Sequence, residues 1–337
     1  MRFYINILAT YFADRDPPFD IYYQQVLEQV ELAEELGWEC FMFNEHHFLG
    51  YGGPIANPAT LLAAAAARTS KIRLGPCIAI LPLRHPLQTA EDYAMVDAIS
   101  GGRLEFGIGS GNTDLDYRVY GIPRAEGRAR MDEAKDIIIK AWSNERFSHQ
   151  GRFWQFEEIT LYPRPVQQPH PPIWVAGTPA ATLGWAGRQG YDIMTLGHPH
   201  PPDEARAGVA AWREGLVATG HDPAEHRCQF HIRTYVDESA KRAEEVATAA
   251  ILRYDEISRI GRKEDKPKPK VFDWAGMLAQ GRNLYGNPDQ CIQIINNSKR
   301  NYYFDTLTTT FNFGGIPHGE ITKSMRLFAR EVMPAFR

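Results

Sequence analysis

Short apolar runs alternate with longer stretches in which apolar positions recur every three or four residues. Phe3–Leu8 reads as a buried strand. Ile21–Leu36 follows as a helix, with Tyr23, Val26, Leu27, Val30, Ala33 and Leu36 at helical spacing and Gly37 placed to stop it. The pairing repeats. Strand Cys40–Phe43 precedes helix Pro58–Arg68, strand Leu74–Leu81 precedes helix Leu87–Ile99, and strand Leu104–Ile108 precedes helix Gly127–Trp142. Residues 147–172, rich in aromatics, Gln and Pro, interrupt the rhythm and read as a hairpin plus an extended loop. Strands Ile173–Ala176, Asp192–Leu196 and Gln229–Val236 are then followed by helices Thr182–Arg188, Asp203–Ala218 and Ala240–Ile257. Arg259–Gly286 is a second irregular insertion and Pro288 opens a further helix. Strand Thr306–Thr310 and helix Ile321–Arg330 end the pattern.

Eight strand–helix units predict an α/β fold, a (β/α)8 TIM barrel with insertions. A doubly wound open sheet is the competing architecture. No linker or internal repeat divides residues 1–337, so one domain is expected. Chemistry in such barrels sits at the C-terminal strand ends. That rule selects Thr10 and Tyr11, residues 45–48, 77–81, 109–116, 177–182, 196–200 and 311–315.

Composition narrows the partners. The chain is 23% charged with a net charge of −4, which implies no basic face for nucleic acid. The basic cluster Arg262–Lys270 contains Pro267 and Pro269 and reads as a solvated loop. Four cysteines without a CxxC pair suit a reducing cytoplasm better than a disulfide framework or zinc ribbon. The N-terminal residues lack a signal-peptide layout, and no apolar run is long enough to span a membrane.

Three segments at strand ends could carry chemistry. Glu45, His46 and His47 join an acid to two imidazoles, the usual proton carriers near neutral pH, although taken in isolation a structural hydrogen-bonding role is their default reading. No HExxH occurs and His85, His198 and His200 have no ligand spacing, so a metal is not expected. Gly107, Gly109 and Gly111 lack the full dinucleotide fingerprint. They suit either a tight turn or the close approach of a flat ring to the backbone. The Val175–Pro179 segment precedes a helix, where backbone amides and the Thr178 hydroxyl offer either an anion site or a plain helix cap. Arg128, on the first turn of its helix, could add a charge to the same anion.

Taken together, several segments resemble the bacterial-luciferase-like flavin monooxygenases. They are the N-terminal Met-Arg-Phe, Asn-Glu-His-His-Phe at 44–48, His85-Pro86, Gly-Arg-Leu-Glu-Phe-Gly-Ile-Gly at 102–109 and Asp-Tyr-Arg-Val-Tyr-Gly at 116–121. The C-terminal Ser-Met-Arg-Leu-Phe and Val332-Met-Pro complete the likeness, which runs over nearly the whole chain. The resemblance implies an oxidoreductase that uses reduced FMN and dioxygen to oxidise a small apolar organic substrate. His46 matches the family's catalytic histidine, held near the flavin. The flavin-binding set would comprise Glu45, Cys77, Ile78, Asn112, Arg128, Gly177 and Thr178. Arg128, Gly177 and Thr178 match phosphate-binding positions, and Cys77 and Ile78 match a pair joined by a non-proline cis peptide under the ring. A separate NAD(P)H:flavin reductase is the expected partner, and a homodimer or related heterodimer the expected assembly. The 259–286 segment falls where the family has a mobile lid.

Departures shape the expectation. Gly109 and Ser110 stand where the luciferases carry a reactive cysteine and an arginine, and Gly177 replaces an acid. Both argue for a monooxygenation other than light emission. Two alternatives remain at this point: a deazaflavin-dependent hydride-transfer enzyme that needs no oxygen, and a non-catalytic flavin-binding protein. Tyr11, Phe12, Phe48, Tyr51 and Phe313 are candidate walls of an apolar pocket.

Overall fold

The computed structural model describes residues 1–196, 201–260 and 274–337. It is a barrel of parallel strands ringed by helices. The first units are β1 (Arg2–Ile7), α1 (Phe19–Leu36), β2 (Cys40–Phe43) and α2 (Pro58–Arg68). Next come β3 (Arg73–Pro76), β4 (Ala79–Ile80), α3 (Pro86–Ser100), β5 (Phe106–Gly109), α4 (Asp114–Val119) and α5 (Gly127–Ser143). An antiparallel hairpin of β6 (Phe147–Gln150) and β7 (Gln155–Ile159) precedes β8 (Ile173–Ala176), α6 (Ala180–Arg188), β9 (Asp192–Leu196) and α7 (Pro202–Ala218). Last come β10 (Cys228–Val236), α8 (Ala240–Ile260), α9 (Trp274–Ala279), β11 (Leu284–Gly286), α10 (Pro288–Asn301), β12 (Thr306–Thr310) and α11 (His318–Leu327).

The strand order is β3-β2-β1-β12-β10-β9-β8-β5-β4, every pair parallel. The Leu74–Leu104 bridge closes the ring. The eight expected staves are present. The third, expected as one run over 74–81, is two pieces, β3 and β4, separated by the non-proline cis bond between Cys77 and Ile78. That is the bond the resemblance implied. Two further departures are local. The polar stretch 112–123 folds as the short helix α4, and Leu284–Gly286, inside the expected irregular insertion, pairs as β11 alongside β10. The basic cluster and most of the expected lid lie outside the described residues.

Alternation along each strand divides the core. In β1, Phe3, Ile5 and Ile7 pack outward beneath the helices, while Tyr4 joins Cys40, Met42, Trp174 and Met194 inside the barrel. Each such side chain contributes about 1.5–3 kcal/mol by leaving water, which explains why these strands are apolar on both faces. Helix ends follow local chemistry. Gly37 ends α1 at φ +87°, a left-handed conformation cheap only for glycine. Asn287 and Gln290 form a reciprocal cap on α10.

The N-terminal end of the barrel is plugged. Glu105, fully buried, accepts two bonds from the Arg227 guanidinium at 2.9 Å each and one from Trp174 Nε1 at 2.6 Å, and it also pairs with Arg73. Asp192 holds the other side of Arg227 at 2.8 Å. Among the described residues, no helix is long and apolar enough to cross a membrane.

Candidate active site

The opposite end carries the C-terminal strand ends. Tyr4, Met42, Trp174 and Met194 are at most 2% exposed. Cys77, Ile78 and Ala176 pack on this closed layer yet keep partial exposure, as do Asn44, His46 and Gly177 around them. The inner floor thus meets a space ringed by strand ends, the position expected for chemistry in this architecture.

At the end of β2 the chain presents Glu45, His46 and His47. Successive side chains of an extended segment point to opposite sides, so the two histidines have different surroundings. His46 has its ring 4.7 Å from that of Tyr51, tilted by 49°. Gly52, at φ +71°, closes over the same imidazole: a Cβ there would stand 2.3 Å from His46 Cδ2. The Tyr51 ring lies 5.2 Å from that of Tyr254, whose hydroxyl donates to the Tyr51 oxygen at 3.1 Å. Arg233 lies over the Tyr254 ring.

Glu45 is buried. Its Oε2 accepts the Ile80 amide at 3.0 Å and its Oε1 is 3.1 Å from His47 Nε2. His47 Nδ1 in turn lies 3.3 Å from the Tyr120 hydroxyl. Asp116, on α4, is 1% exposed and adds a second carboxyl to this group. Burial pushes its pKa up to about 6, with Glu45 adding to the rise and His47 opposing it.

Beneath the cis bond, Cys77 Sγ lies 3.9–4.0 Å from both ring nitrogens of His231. His231 Nε2 is 3.0 Å from Gln229 Oε1, which also accepts from the Thr308 hydroxyl at 2.9 Å. Burial pushes the His231 pKa down to about 3 and the Cys77 thiol up to about 12, so both groups are neutral near pH 7. Gly109 faces this corner: a Cβ there would stand 2.1 Å from Ile78 Cδ1.

Gly177 donates its amide to Met194 O at 3.1 Å, and Pro179 caps α6. Of the first-turn amides of α6, those of Thr182 and Leu183 donate to Pro179 O at 2.9 and 3.1 Å. Thr178 is buried, with Gly208 packed against its carbonyl. Arg128 reaches α6 from the first turn of α5, its guanidinium 4.4 Å from the Trp185 ring centre. It also pairs with Asp132 at 2.9 Å and is 44% exposed. Asn112 is exposed and accepts from the Thr113 hydroxyl at 3.3 Å.

The structure therefore gathers Glu45, His46, Cys77 and Ile78 at neighbouring strand ends, and sets Arg128 against the helix that follows Gly177 and Thr178. The candidate aromatic walls divide. Phe48 is half exposed at φ +62°, whereas Phe313 and Tyr51 are buried and Tyr11 stacks on Phe19. His231 was missed because it lies inside the seventh strand, Cys228–Val236, and not at its C-terminal end. Asp116 was quoted as part of a motif, but its neighbours come from a loop seventy residues earlier. Among the described residues no cluster of three or more His, Cys, Asp or Glu could hold a metal.

Comparison with known proteins gives the family. The "Luciferase-like monooxygenase" family profile matches residues 1–301. The alkanal monooxygenase alpha chain of the Kryptophanaron alfredi symbiont is 26% identical, over 98% of this chain and 97% of its own. The oxygenase component of a flavin-dependent trigonelline monooxygenase from Acinetobacter baylyi is 32% identical over 58% of this chain and 54% of its own. Among solved structures, monooxygenase RslO1 from Streptomyces bottropensis superposes with a TM-score of 0.93 at 29% identity, covering all of both chains. The chain belongs to the luciferase-like monooxygenase family and is an oxidoreductase.

Proposed function

We propose that this protein is the oxygenase of a two-component system. It would take reduced FMN from a separate NAD(P)H:flavin reductase, admit dioxygen and insert one oxygen atom into a small organic substrate. The observation that carries the reading is the half-open barrel floor, bordered on one side by His46 and on another by the Cys77–Ile78 cis bond. A flat ring fits against such a floor, because the side chains below it close the barrel completely.

When bound, reduced FMN supplies the oxygen-activating chemistry. The protein's part is to bind, orient and exclude water. Arg128 and the amides at the start of α6 would hold the phosphate, with Gly177 and Thr178 forming the approach. Cys77 and Ile78 would back the ring, Glu45 would brace that corner through the Ile80 amide, and Asn112 would border the opening. His46, held by Tyr51 and Gly52, would hold or move a proton at its imidazole. The neutral His231–Cys77 pair keeps charge away from the floor. We further propose that the assembly is a homodimer, as expected for the family.

A binding titration tests the reading. Reduced FMN should bind more tightly than oxidised FMN, riboflavin or reduced deazaflavin, and mixing the loaded protein with air should consume oxygen. Preference for reduced deazaflavin with no oxygen consumption would replace this assignment by hydride transfer. Flavin binding with turnover unaltered in His46→Ala would reduce it to flavin carriage.

A further inference from the structure

The Glu45–His47 group is the strongest feature left unused. A carboxylate only accepts hydrogen bonds, so with Glu45 as the acceptor the proton of the 3.1 Å contact sits on His47 Nε2. Nδ1 is then the acceptor, and the Tyr120 hydroxyl donates to it at 3.3 Å. Tyr120 is 44% exposed, His47 6% and Glu45 2%. The chain of contacts therefore runs from solvent to a buried carboxylate one residue from His46. Asp116 flanks it, 1% exposed, with one carboxyl oxygen that has no hydrogen-bond partner. Tyr93, on α3, faces Glu45 from the other side and also carries a buried, unpartnered hydroxyl.

We propose that Tyr120, His47 and Glu45 form a proton relay that carries a proton from solvent to the buried Glu45 carboxylate at the end of β2. In one passage the Tyr120 O–H bond breaks as an N–H bond forms at Nδ1. The Nε2–H bond breaks as an O–H bond forms on Glu45 Oε1, and water restores the Tyr120 proton. One proton moves inward and nothing is oxidised or reduced. Asp116 is a second buried carboxyl that feels the charge on both Glu45 and His47, so its titration reports a proton held by either. The groups facing Asp116 are Glu45 and His47 from the β2 loop, with Tyr117 and Tyr120 on its own helix. Arg84, before α3, acts on Tyr120 and Tyr93.

The relay's use rests on the monooxygenase reading, since taking dioxygen to an inserted oxygen atom and water requires protons at the mouth. Its test does not. In flavin-free protein labelled with carbon-13 and nitrogen-15, the Asp116 carboxyl should titrate near 6. The midpoint should rise by about one pH unit in His47→Gln and fall by about as much in Glu45→Gln. Exchange of the His47 ring N–H with solvent should slow at least about tenfold in Tyr120→Phe, a change small enough at a half-exposed ring to leave the fold intact. An Asp116 midpoint indifferent to both substitutions, or ring exchange unchanged in Tyr120→Phe, would overturn the relay. Failure of flavin binding, measured separately, would overturn the assignment and leave these titrations standing.

Discussion

Gly52→Ala tests whether His46 acts through its placement. The substitution has two separable costs. Gly52 sits at φ +71°, so any Cβ there carries the left-handed penalty of about 1–2 kcal/mol. The second cost is steric. The new carbon would stand 2.3 Å from His46 Cδ2 and 2.7 Å from both its Cβ and Cγ, about 1 Å inside ordinary carbon–carbon contact. The imidazole must retreat by roughly that distance, and a displacement of about 1 Å can cost about a hundredfold in rate. Tyr51 blocks retreat on the side where its ring lies 4.7 Å away.

Gly101→Ala separates the two costs. Gly101 has nearly the same φ, +69°, and a Cβ there meets nothing within 4 Å. The two variants should therefore melt within a few degrees of each other, both slightly below the parent. With reduced FMN loaded and oxygen mixed in, flavin absorbance and hydrogen peroxide release are followed in a stopped-flow instrument. Gly101→Ala should match the parent. Gly52→Ala should differ from it about a hundredfold, in the same direction as His46→Ala. Parent-like kinetics in Gly52→Ala, with melting equal to that of Gly101→Ala, would refute the claim that the glycine fixes a working imidazole.

Three further outcomes follow from the geometry. Arg128→Leu should weaken FMN about tenfold or more, the worth of one charge-assisted contact, and leave riboflavin affinity unchanged; equal weakening of both ligands in equilibrium titration would remove Arg128 from the phosphate site. Glu105→Gln should cost about 3–5 kcal/mol in denaturant unfolding, because Arg227 keeps Asp192 but loses its bidentate partner in a buried plug; FMN affinity should hold, since the plug lies at the far end of the barrel. His231 is held neutral, its folded pKa near 3 against an ordinary 6.5. The folded state therefore binds fewer protons than the unfolded chain between those values, and this stability, complete above pH 6.5, is lost as pH falls toward 3. His231→Gln should flatten that part of a thermal-stability profile, and an unchanged acid slope would mean that other groups set it.

How much of this was legible in the sequence depended on the range of the interaction. The strand–helix alternation was, because each unit carries its own signals: Val26, Val30 and Ala33 in one apolar stripe, Gly37 to end the helix, Pro58 to begin the next. The strand-end rule then located Glu45, His46, Cys77 and Ile78 without any knowledge of the fold's partners. The break in the third stave was not legible from pattern, since Cys77 and Ile78 are as apolar as their neighbours, and only the family resemblance singled them out. Long-range polar contacts were invisible in principle. Nothing near Glu105 announces that Arg227, 122 positions later, will seal the barrel with it, and nothing near Asp116 announces burial beside His47. Yet these contacts make the two ends of the barrel unlike. One end holds its charges in fixed bidentate pairs that seal the barrel interior. The other leaves Asp116 and Tyr93 with unpartnered oxygens and His46 pressed against a glycine. Sequence periodicity specifies a cylinder; which of its ends binds and reacts is set by side chains that meet only once it has closed.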